Sequence, residues 1–298
     1  MDYTMFRPLL VGAIVSVNLL PNTIFLDKYR KFRATYGFDG NERPVPDKIK
    51  KRFREVINDL KLSEEDRNKI QIFSVHDINI FHAGTLLGLD AIIGIPPNYA
   101  YESTESLSAD QVKIENKDML WNEETSKNFL ESLVLSENAQ KFAIARAILK
   151  VKRPEFWIKQ VDTIIDCMIF FLIYDTFKIA VKSRIKLKIL VYAINGIIAF
   201  GAFLIWAISE QLIDVNADKS ISYELAELDP KYVQGGKEYY EKLCQRDNVL
   251  RPYFTKTSKF FSWINKREAS PFTQSKFFDS KLYEMNGEEH VSSNVIFQ

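Results

Sequence analysis

The sequence predicts an α+β fold that is mainly helical: an integral membrane protein in which a two-helix transmembrane hairpin is inserted in a small soluble domain. The hairpin is predicted from two apolar runs, Trp157–Val181 and Ile189–Ser209, that only the basic turn Lys182–Lys188 separates. The second run holds 21 residues without a formal charge, and about 20 apolar residues suffice to cross a bilayer as a helix. Short segments typical of strands and helices on both sides of the hairpin predict the soluble domain.

Two apolar helices joined by so short a turn must run antiparallel. Trp157 opens the first helix and Trp206 closes the second. Both indoles are therefore predicted on the same side of the membrane, in the headgroup layer that such rings favour. Asp175 and Lys178 interrupt the first helix, but they are three residues apart and can pair on one helical face.

Polar and small residues of the hairpin are the candidate contacts for a partner helix: Asp166 and Asp175 in the first helix, and Asn195, Gly196 and Gly201 in the second. Small residues let helix backbones approach closely in lipid, and amide side chains hydrogen-bond between helices. Asp166 lies about half a turn round the helix from Asp175 and needs a partner of its own. That partner is another helix or chain, the membrane interface, or a wet cavity in which Asp166 relays protons or ions.

Residues 1–33 form an N-terminal apolar segment whose role the sequence leaves open. Pro8–Leu26 holds 19 uncharged residues between Arg7 and the charged run Asp27–Arg33. Pro21 makes it a weaker span than the second helix of the hairpin. The segment is a third membrane helix, an interfacial anchor or a targeting segment.

The first part of the soluble domain spans residues 34–156. Its predicted elements are a helix from Asp47 to Leu60, a short helical turn from Ser63, strands over Ile70–Val75, Asn79–Gly84 and Asp90–Ile95, and a helix from Ser136 to Lys152. The last helix carries a stripe of small residues, Ala139, Ala143 and Ala147, which predicts close packing along it. The acidic stretch over residues 101–131 is predicted as a loop.

The second part of the soluble domain spans residues 210–266 and is predicted to be helical, with a mobile polar tail over residues 267–298. A helix is predicted to open at Asn216–Asp218 and to end at Asp229–Pro230. The pair Gly235–Gly236 is predicted as a tight turn that admits close packing before a further helix.

Composition and motifs argue against several classes of function. Lys and Arg number 40 against 39 Asp and Glu, so no net positive field favours nucleic acid. The sequence has three histidines and lacks HExxH, G-x-S-x-G, P-loop and G-x-G-x-x-G motifs. His76 and Asp77 with His82 offer half of a metal site at most. We therefore predict that the chain is not an enzyme and has no catalytic residue, metal or cofactor, and that Cys167 and Cys244 form no disulfide.

Four blocks of residues carry a family resemblance. Ile92–Pro96, Leu135–Arg146, Gly235–Leu243 and Lys281–Tyr283 occur in this order, with the hairpin between the second and third blocks. In these blocks the chain resembles the transmembrane protein 177 family of the mitochondrial inner membrane. The resemblance implies a non-enzymatic assembly factor that stabilises newly made cytochrome c oxidase subunit II and its assembly chaperone. It also implies that these two proteins and the lipid bilayer are the partners.

Charge and resemblance imply different orientations of the hairpin. By the positive-inside rule the basic turn Lys182–Lys188 faces the matrix, which places the soluble parts in the intermembrane space. Basic residues also precede the first helix, at Lys150 and Lys152, so the charge bias is small. The family resemblance implies instead that both termini and the soluble parts lie on the matrix side, and this is the orientation we expect.

The order of elements also resembles that of membrane-embedded zinc peptidases of the HtpX and Oma type. In those enzymes an Ala-rich helix carries HExxH, and a helix after a membrane hairpin carries a third ligand. Here the corresponding helix reads Ala145-Arg-Ala-Ile-Leu-Lys150, and no histidine occurs between residues 83 and 289. Without imidazoles and a general-base Glu, nothing holds zinc or activates its water. The resemblance implies a peptidase-like domain that is a catalytically inactive scaffold, with a zinc-bearing active hydrolase as the rival.

A peptidase-like groove offers a second way to bind a client. An extended client segment adds to an edge strand through backbone hydrogen bonds. This hypothesis requires an open edge strand near Phe81–Ile95.

Overall fold

The computed structural model of the chain describes residues 3–101, 103, 123–181, 188–250 and 269–295. Most of the acidic stretch, the turn of the hairpin and the stretch over residues 251–268 lie outside the described residues. The helices are α1 (Tyr3–Leu19), α2 (Leu26–Arg33), α3 (Asp47–Asp59), α4 (Glu64–Lys69), α5 (Glu123–Leu133), α6 (Glu137–Lys152), α7 (Glu155–Val181), α8 (Lys188–Leu228), α9 (Pro230–Leu250) and α10 (Pro271–Val295). The strands are β1 (Ile70–Ser74), β2 (Phe81–Gly84) and β3 (Ala91–Ile95), and a 3-10 helix follows at Pro97–Ala100.

Helix α6 lies at the centre of the fold. Ser136 caps it, because the Ser136 Oγ accepts the Ala139 N–H at 3.3 Å, and the helix therefore begins where the sequence predicts. Ala139, Ala143 and Ala147 are at most 3 % exposed, which confirms close packing along the stripe of small residues. Helices α3, α8 and α9 and strands β2 and β3 pack around α6. Small side chains suit this position, since they let several neighbours approach one helix at once.

The three strands form one mixed sheet in the order β1–β3–β2. Strand β1 pairs with β3 in parallel, whereas β2 pairs with β3 antiparallel. All five residues of β3 are buried, as expected for the central strand of a covered sheet. The three strands lie within the predicted segments, and β2 is an edge strand of the sheet. The described part of the chain thus offers an edge strand near Phe81–Ile95, but the Asn22 side chain already accepts the Gly84 N–H of that edge.

Helices α7 and α8 run antiparallel, and polar side chains join them near one end. Trp206 Nε1 donates to Thr163 Oγ1 at 3.2 Å, and Lys159 Nζ lies 2.5 Å from Asp214 Oδ1. The helix predicted to open at residue 216 is not a separate element, because α8 is continuous over 41 residues. No glycine or proline occurs from residue 202 to residue 229, so nothing in the chain interrupts the helical hydrogen bonds there.

Among the described residues, one helix is long and apolar enough to cross a membrane, judged by length and composition. It is the α8 segment Ile189–Leu228, whose most apolar stretch is not buried inside the protein. Further along α8 the side chains of Ile221 and Leu225 are fully buried in the core. Helix α8 thus joins an apolar, outward-facing half to a half that packs against α6.

The N-terminal apolar segment is interrupted. Helix α1 ends at Leu19, residues 20–25 form turns, and α2 follows. The apolar part of α1, Phe6–Leu19, is shorter than the α8 segment. Helix α1 runs antiparallel to α7, because Arg7 contacts Asp175 whereas the end of α1 lies beside the first turns of α7.

The C-terminal elements correct two predictions. Gly235 and Gly236 lie inside α9, so they form no turn between helices, although both sit in close contacts. Residues 271–295, predicted as part of a mobile tail, form α10. Phe278 of this helix is fully buried, with its ring centroid 5.3 Å from that of Phe142 in α6. A few apolar side chains at helical spacing are enough to hold α10 on the core, which a polar average composition conceals.

Candidate functional site

Asp166 finds its hydrogen-bond partner inside the α7–α8 pair. Ser209 Oγ lies 2.6 Å from Asp162 Oδ2 and 3.2 Å from Asp166 Oδ2. A serine hydroxyl has one proton, so the two carboxylates share one donor. Asp166 therefore points at α8 and not at an outside helix. The sequence prediction missed Asp162, although its spacing of four residues from Asp166 places both on one helical face.

Asp175 is paired by Arg7 of α1. The Arg7 guanidinium donates to both carboxylate oxygens, at 2.6 and 2.7 Å, and lies 5.1 Å from the centroid of the Phe171 ring. Such a bidentate pair is stronger and more specific in geometry than a single hydrogen bond, because two parallel N–H groups bind the carboxylate. The sequence prediction considered only Lys178, a neighbour in the same helix, and did not connect Asp175 with α1.

The three candidate residues of α8 face outward or are only half-buried. Gly196 is exposed and Gly201 half-buried, and a Cβ added at either would meet no atom within 4 Å. Asn195 is half-buried, and its carboxamide makes no hydrogen bond to the described residues. The five predicted contacts therefore do not form one site: the two aspartates have partners inside the protein, and the α8 residues retain open space.

A buried ion cluster joins α6 to α8 just beyond the apolar half of α8. Arg146 Nη2 lies 2.9 and 3.0 Å from the two oxygens of Asp218, and Lys150 Nζ lies 3.0 Å from Asp218 Oδ1. The Ala269 N–H adds a third kind of donor at 3.0 Å. Asp218 is fully buried, so its charge is tolerated only because cations and an N–H group surround it.

A groove of about 350 Å³ lies beside this cluster. The groove opens where the end of α1, the edge strand β2 and the first turns of α7 meet α6 and α8. Its polar wall contains Asn18, Asn22, His82, Lys150, Glu155, Lys159 and Asp214. Its apolar wall contains Phe81, Phe156, Ala217 and Ile221. We call it the boundary groove, because it lies where the apolar half of α8 ends. The Gly84 N–H of β2 donates to Asn22 Oδ1 at 3.2 Å, so a side chain of the α1–α2 turn meets the sheet edge.

Two acceptors in the boundary groove are unused. Glu155 Oε2 and Asp214 Oδ2 are shielded from solvent and accept no hydrogen bond from the described residues. The other oxygen of Asp214 binds Lys159, and Glu155 Oε1 lies 3.8 Å from Arg153 Nη1. An unsatisfied buried acceptor costs about 1–3 kcal/mol, and more when it carries charge. A hydrogen-bond donor that reached these two oxygens would therefore be bound favourably.

A second cavity, of about 580 Å³, lies at the opposite end of α6. Its buried Arg52 hydrogen-bonds Gln140 and lies 3.3 Å from Glu137 Oε2. A hydrogen bond from Lys141, 2.7 Å away, keeps the pKa of Glu137 below its usual value. These charges hold α3 against the start of α6, and we assign the cavity a structural role.

The described residues hold no group of three or more His, Cys, Asp and Glu side chains in a metal-binding arrangement. Asp77 belongs to the half metal site considered from the sequence, but both of its carboxylate oxygens have other partners. Arg33 Nη2 lies 2.9 Å from Asp77 Oδ2, and Asp77 Oδ1 accepts the N–H groups of Ile78 and Asn79. Cys167 and Cys244 are free thiols.

Comparison with known proteins places the chain in a family. The family model described as "Transmembrane protein 177" matches residues 98–268. The chain is 25 % identical to transmembrane protein 177 of Danio rerio over 252 residues, which cover 80 % of this chain and 77 % of the relative. It is 24 % identical to the human protein over 250 residues, covering 81 % and 76 % respectively. The Xenopus laevis protein is 24 % identical over 253 residues, covering 81 % and 77 %. No solved structure matches.

The matched residues run from the 3-10 helix after the sheet, through α6 and the α7–α8 pair, to the stretch beyond α9. They include Arg146, Lys150 and Asp218 of the buried ion cluster and the residues that α6, α7 and α8 contribute to the boundary groove. The family resemblance seen in the sequence is thereby confirmed. With more than half of its residues matched by the family model, the chain belongs to the transmembrane protein 177 family.

Proposed function

We propose that the chain is a non-enzymatic assembly factor of the mitochondrial inner membrane that stabilises newly made cytochrome c oxidase subunit II and its assembly chaperone. Family membership carries this proposal, since the resemblance to that family implied the role from the sequence. Two features of the molecule support it: an apolar half of α8 with outward-facing small residues, and an intact core on the other side of the membrane boundary.

In this proposal α7 and α8 both span the membrane as a multi-pass hairpin. Charged residues in α7 argue against a position in the membrane only if their side chains contact lipid, because an unpaired charge in the bilayer has a high free energy. Asp162 and Asp166 turn to Ser209, and Asp175 turns to Arg7. With these partners α7 presents mainly Met168, Leu172 and other apolar side chains on its exposed surface.

The partner helix would dock on α8 around Asn195. An amide in an apolar helix gains from a cross-helix hydrogen bond, and Gly196 and Gly201 leave room for a backbone to come close. Lipid supplies no hydrophobic force between helices, so such contacts decide association. The proposed contact set is Asn195, Gly196 and Gly201, whereas Asp166 and Asp175 act by holding the hairpin together.

Pull-down of subunit II and its chaperone from solubilised mitochondria tests the proposal. We expect Asn195→Leu to lower recovery of both about three- to tenfold, in line with the strength of one cross-helix hydrogen bond. Asn216→Leu is the matched control, because the same substitution then falls on an exposed position outside the apolar half of the same helix. Unchanged recovery with Asn195→Leu contradicts the docking face, and absence of both proteins from the wild-type pull-down contradicts the function.

A second candidate is a catalytically inactive peptidase-like scaffold, which the ion cluster favours. In zinc peptidases HExxH places two imidazoles four residues apart on one helical face. Here Arg146 and Lys150 have that spacing on α6, and both bind Asp218 of the helix that follows the hairpin. Two cations thus neutralise the carboxylate that a metal ion would otherwise need to neutralise.

Metal analysis distinguishes the inactive scaffold from an active hydrolase. We expect the purified wild-type chain to hold no stoichiometric zinc, and stoichiometric zinc in it would favour an active hydrolase. The double variant Arg146→His, Lys150→His presents two imidazoles and Asp218, a ligand set that suits zinc. Zinc binding by this variant supports the scaffold reading; failure of a folded variant to bind zinc means that the cluster lacks the geometry of a metal site.

A further inference from the structure

The boundary groove has a chemistry that its own side chains do not satisfy. Its two unused acceptors, Glu155 Oε2 and Asp214 Oδ2, come from different helices of the α7–α8 pair. Both line the same cavity, which also has apolar walls at Phe81, Phe156 and Ile221. A ligand that suits this groove carries several N–H donors and a positive charge at the end of a slender apolar stem.

We propose that the boundary groove receives a lysine or arginine side chain from the membrane-proximal end of a partner's transmembrane helix. Basic residues commonly flank membrane helices, and their methylene stems lie along apolar surface while the charged end reaches polar groups. On binding, the Glu155 and Asp214 side chains would turn these buried oxygens toward the N–H donors of that end and form charge-assisted hydrogen bonds with them. The inference rests on the proposed function, since it requires a partner helix beside the hairpin.

The position of the groove matches this occupant. Lys159 and Asp214 join α7 to α8 at the point where the apolar half of α8 ends, and the groove opens there beside α1. A partner helix on the apolar half of α8 would bring its flanking residues to this level. The basic residues that flank the partner helix would then add a second contact, which selects for positive charge, to the one at Asn195.

A lipid headgroup with a primary amine offers similar donors but fits less well. Such a headgroup carries a phosphate beside its amine. That phosphate would compete with Asp218 for Lys150 and with Asp214 for Lys159, both of which are within 3.0 Å of their carboxylates. A side chain brings no second charge, so a partner protein is the favoured source of the donors.

The test uses the full chain in nanodiscs and two model transmembrane peptides with the same leucine–alanine centre and one central asparagine. One peptide carries two lysines at its end, and the other carries two trimethyl-lysines, which keep the charge but have no N–H donor. Association is measured by energy transfer to a fluorescent protein fused to the chain. We expect the lysine peptide to bind about tenfold more tightly, the size expected for one or two charge-assisted hydrogen bonds.

The variants assign this selectivity to the groove. Glu155→Gln and Asp214→Asn are expected to remove the preference for the lysine peptide. Glu224→Gln is the matched control, because Glu224 also pairs with Arg153, at 2.6 Å, yet lies outside the groove. Asn195→Leu is expected to weaken both peptides equally, which reports on the docking face alone.

Equal binding of the two peptides to the wild-type chain overturns the inference and leaves the proposed function standing. Selectivity that survives Glu155→Gln and Asp214→Asn also overturns it. Native mass spectrometry supplies the arm for lipid: a stoichiometric ethanolamine phospholipid that Glu155→Gln removes assigns the groove to lipid. If neither peptide associates with the wild-type chain, both the inference and the docking face fail.

Discussion

At the scale of single residues, two glycines set how closely α9 approaches the core. A Cβ at Gly235 would overlap the backbone carbonyl of Asn138 at the start of α6. A Cβ at Gly236 would lie 2.7 Å from the Phe278 ring and 2.9 Å from the Phe142 ring. The sequence suggested close packing at this pair for the wrong reason, a turn, because two successive glycines are more often a turn than a contact.

Adding one methyl group at these positions should therefore destabilise the protein. We expect Gly236→Ala to cost about 1–3 kcal/mol, the usual range for overpacking, and Gly235→Ala to cost more because a backbone carbonyl cannot rotate away. Thermal unfolding in detergent measures both. Gly201→Ala is the control: its Cβ has open space, so its midpoint should be unchanged or slightly higher. Equal midpoints for Gly236→Ala and wild type would contradict the packing described.

A second residue-scale feature is the hydrogen-bonded carboxylate of Asp59 in α3. The Tyr232 hydroxyl donates to Asp59 Oδ2 at 2.7 Å, and Lys231 Nζ lies 2.8 Å from the same oxygen. Partial burial acts to raise the pKa of Asp59, but the hydrogen bonds from Lys231 and Tyr232 outweigh it, and the pKa lies below the ordinary value of 3.8. Burial and the hydrogen bond to Asp59 raise the pKa of Tyr232.

The lowered pKa predicts the pH dependence of this contact. Ionised Asp59 stabilises the folded state fully above its unfolded pKa of about 3.9, and the contribution is lost as the pH falls through the lower folded pKa. We expect Asp59→Asn to be less stable than wild type by about 1–3 kcal/mol at neutral pH, because buried Tyr232 loses a charged acceptor. The difference should shrink below about pH 4. Unfolding midpoints measured from pH 7 to pH 3, with Asp27→Asn at an exposed position as control, check this; a constant difference would contradict it.

At the scale of elements, the α7–α8 pair and α1 are joined by polar contacts that hydropathy counts as defects. Ser209 offers one hydroxyl proton to the two carboxylates Asp162 and Asp166 of α7, and Arg7 attaches α1. In an apolar surrounding such contacts specify which helices pair, since an unpaired alternative leaves a charge without a partner. Helix α1 is thus the third member of this bundle, held at one point by a bidentate ion pair.

Reversing that ion pair should detach α1. We expect Arg7→Asp to place two carboxylates together and to lower the protection of α1 amides against hydrogen exchange. The double variant Arg7→Asp, Asp175→Arg restores opposite charges and should recover most of the protection. Loss of protection in the double variant as large as in the single one would mean that Arg7 acts through something other than Asp175.

At the scale of the whole molecule, the antiparallel pair determines which parts of the chain lie at the same end of the two helices. The first turns of α7 and the second half of α8 lie at the same end, where they meet α6. The core built by α3, α6, α9 and α10 therefore lies at one end of the α7–α8 pair. Two chain segments separated by the hairpin form one core because α8 continues without a break from the apolar half into it.

Protease protection checks the orientation we propose, with this core in the mitochondrial matrix. We expect a C-terminal tag to resist protease in mitoplasts, whose outer membrane is open, and to be cleaved once detergent opens the inner membrane. An engineered protease site in the turn over residues 182–187 should show the reverse, being cut in intact mitoplasts. Cleavage of the C-terminal tag in intact mitoplasts would place the core in the intermembrane space, as the positive-inside rule suggests.

The features of the fold that could be predicted from the sequence depend on interactions between residues that are close together in the chain. The apolar run of α8, the cap at Ser136 and the three strands depend on residues within a few positions of one another, and sequence patterns report such neighbours. The continuity of α8 was missed because charged residues after Glu210 resemble a helix boundary. Helix α10 was missed because one buried phenylalanine per few turns does not change a polar composition.

The candidate site likewise has features that the sequence predicts and features that it does not. The residue types and spacing in the hairpin predicted which polar side chains need partners, but not which partners they find. Arg7 and Asp175 are 168 residues apart, and Arg146 and Asp218 are 72 apart. No pattern along the chain contains such pairs. The boundary groove is built from six separate helices and strands, so its unused acceptors have no signature in the sequence.

The sequence by itself determined the apolar half of α8, the strands and caps of the domain, and membership of the transmembrane protein 177 family. These follow from hydrophobic periodicity and local hydrogen bonding, which are properties of neighbouring residues. Only the tertiary structure decided that Asp166 and Asp175 find their partners inside the protein, that a salt-bridged cluster stands between α6 and α8, and that a groove with unused carboxylate oxygens opens where the apolar half of α8 ends. The reason is that a buried charge must find a counter-charge wherever the fold provides one, and that place is set by packing and not by distance along the chain.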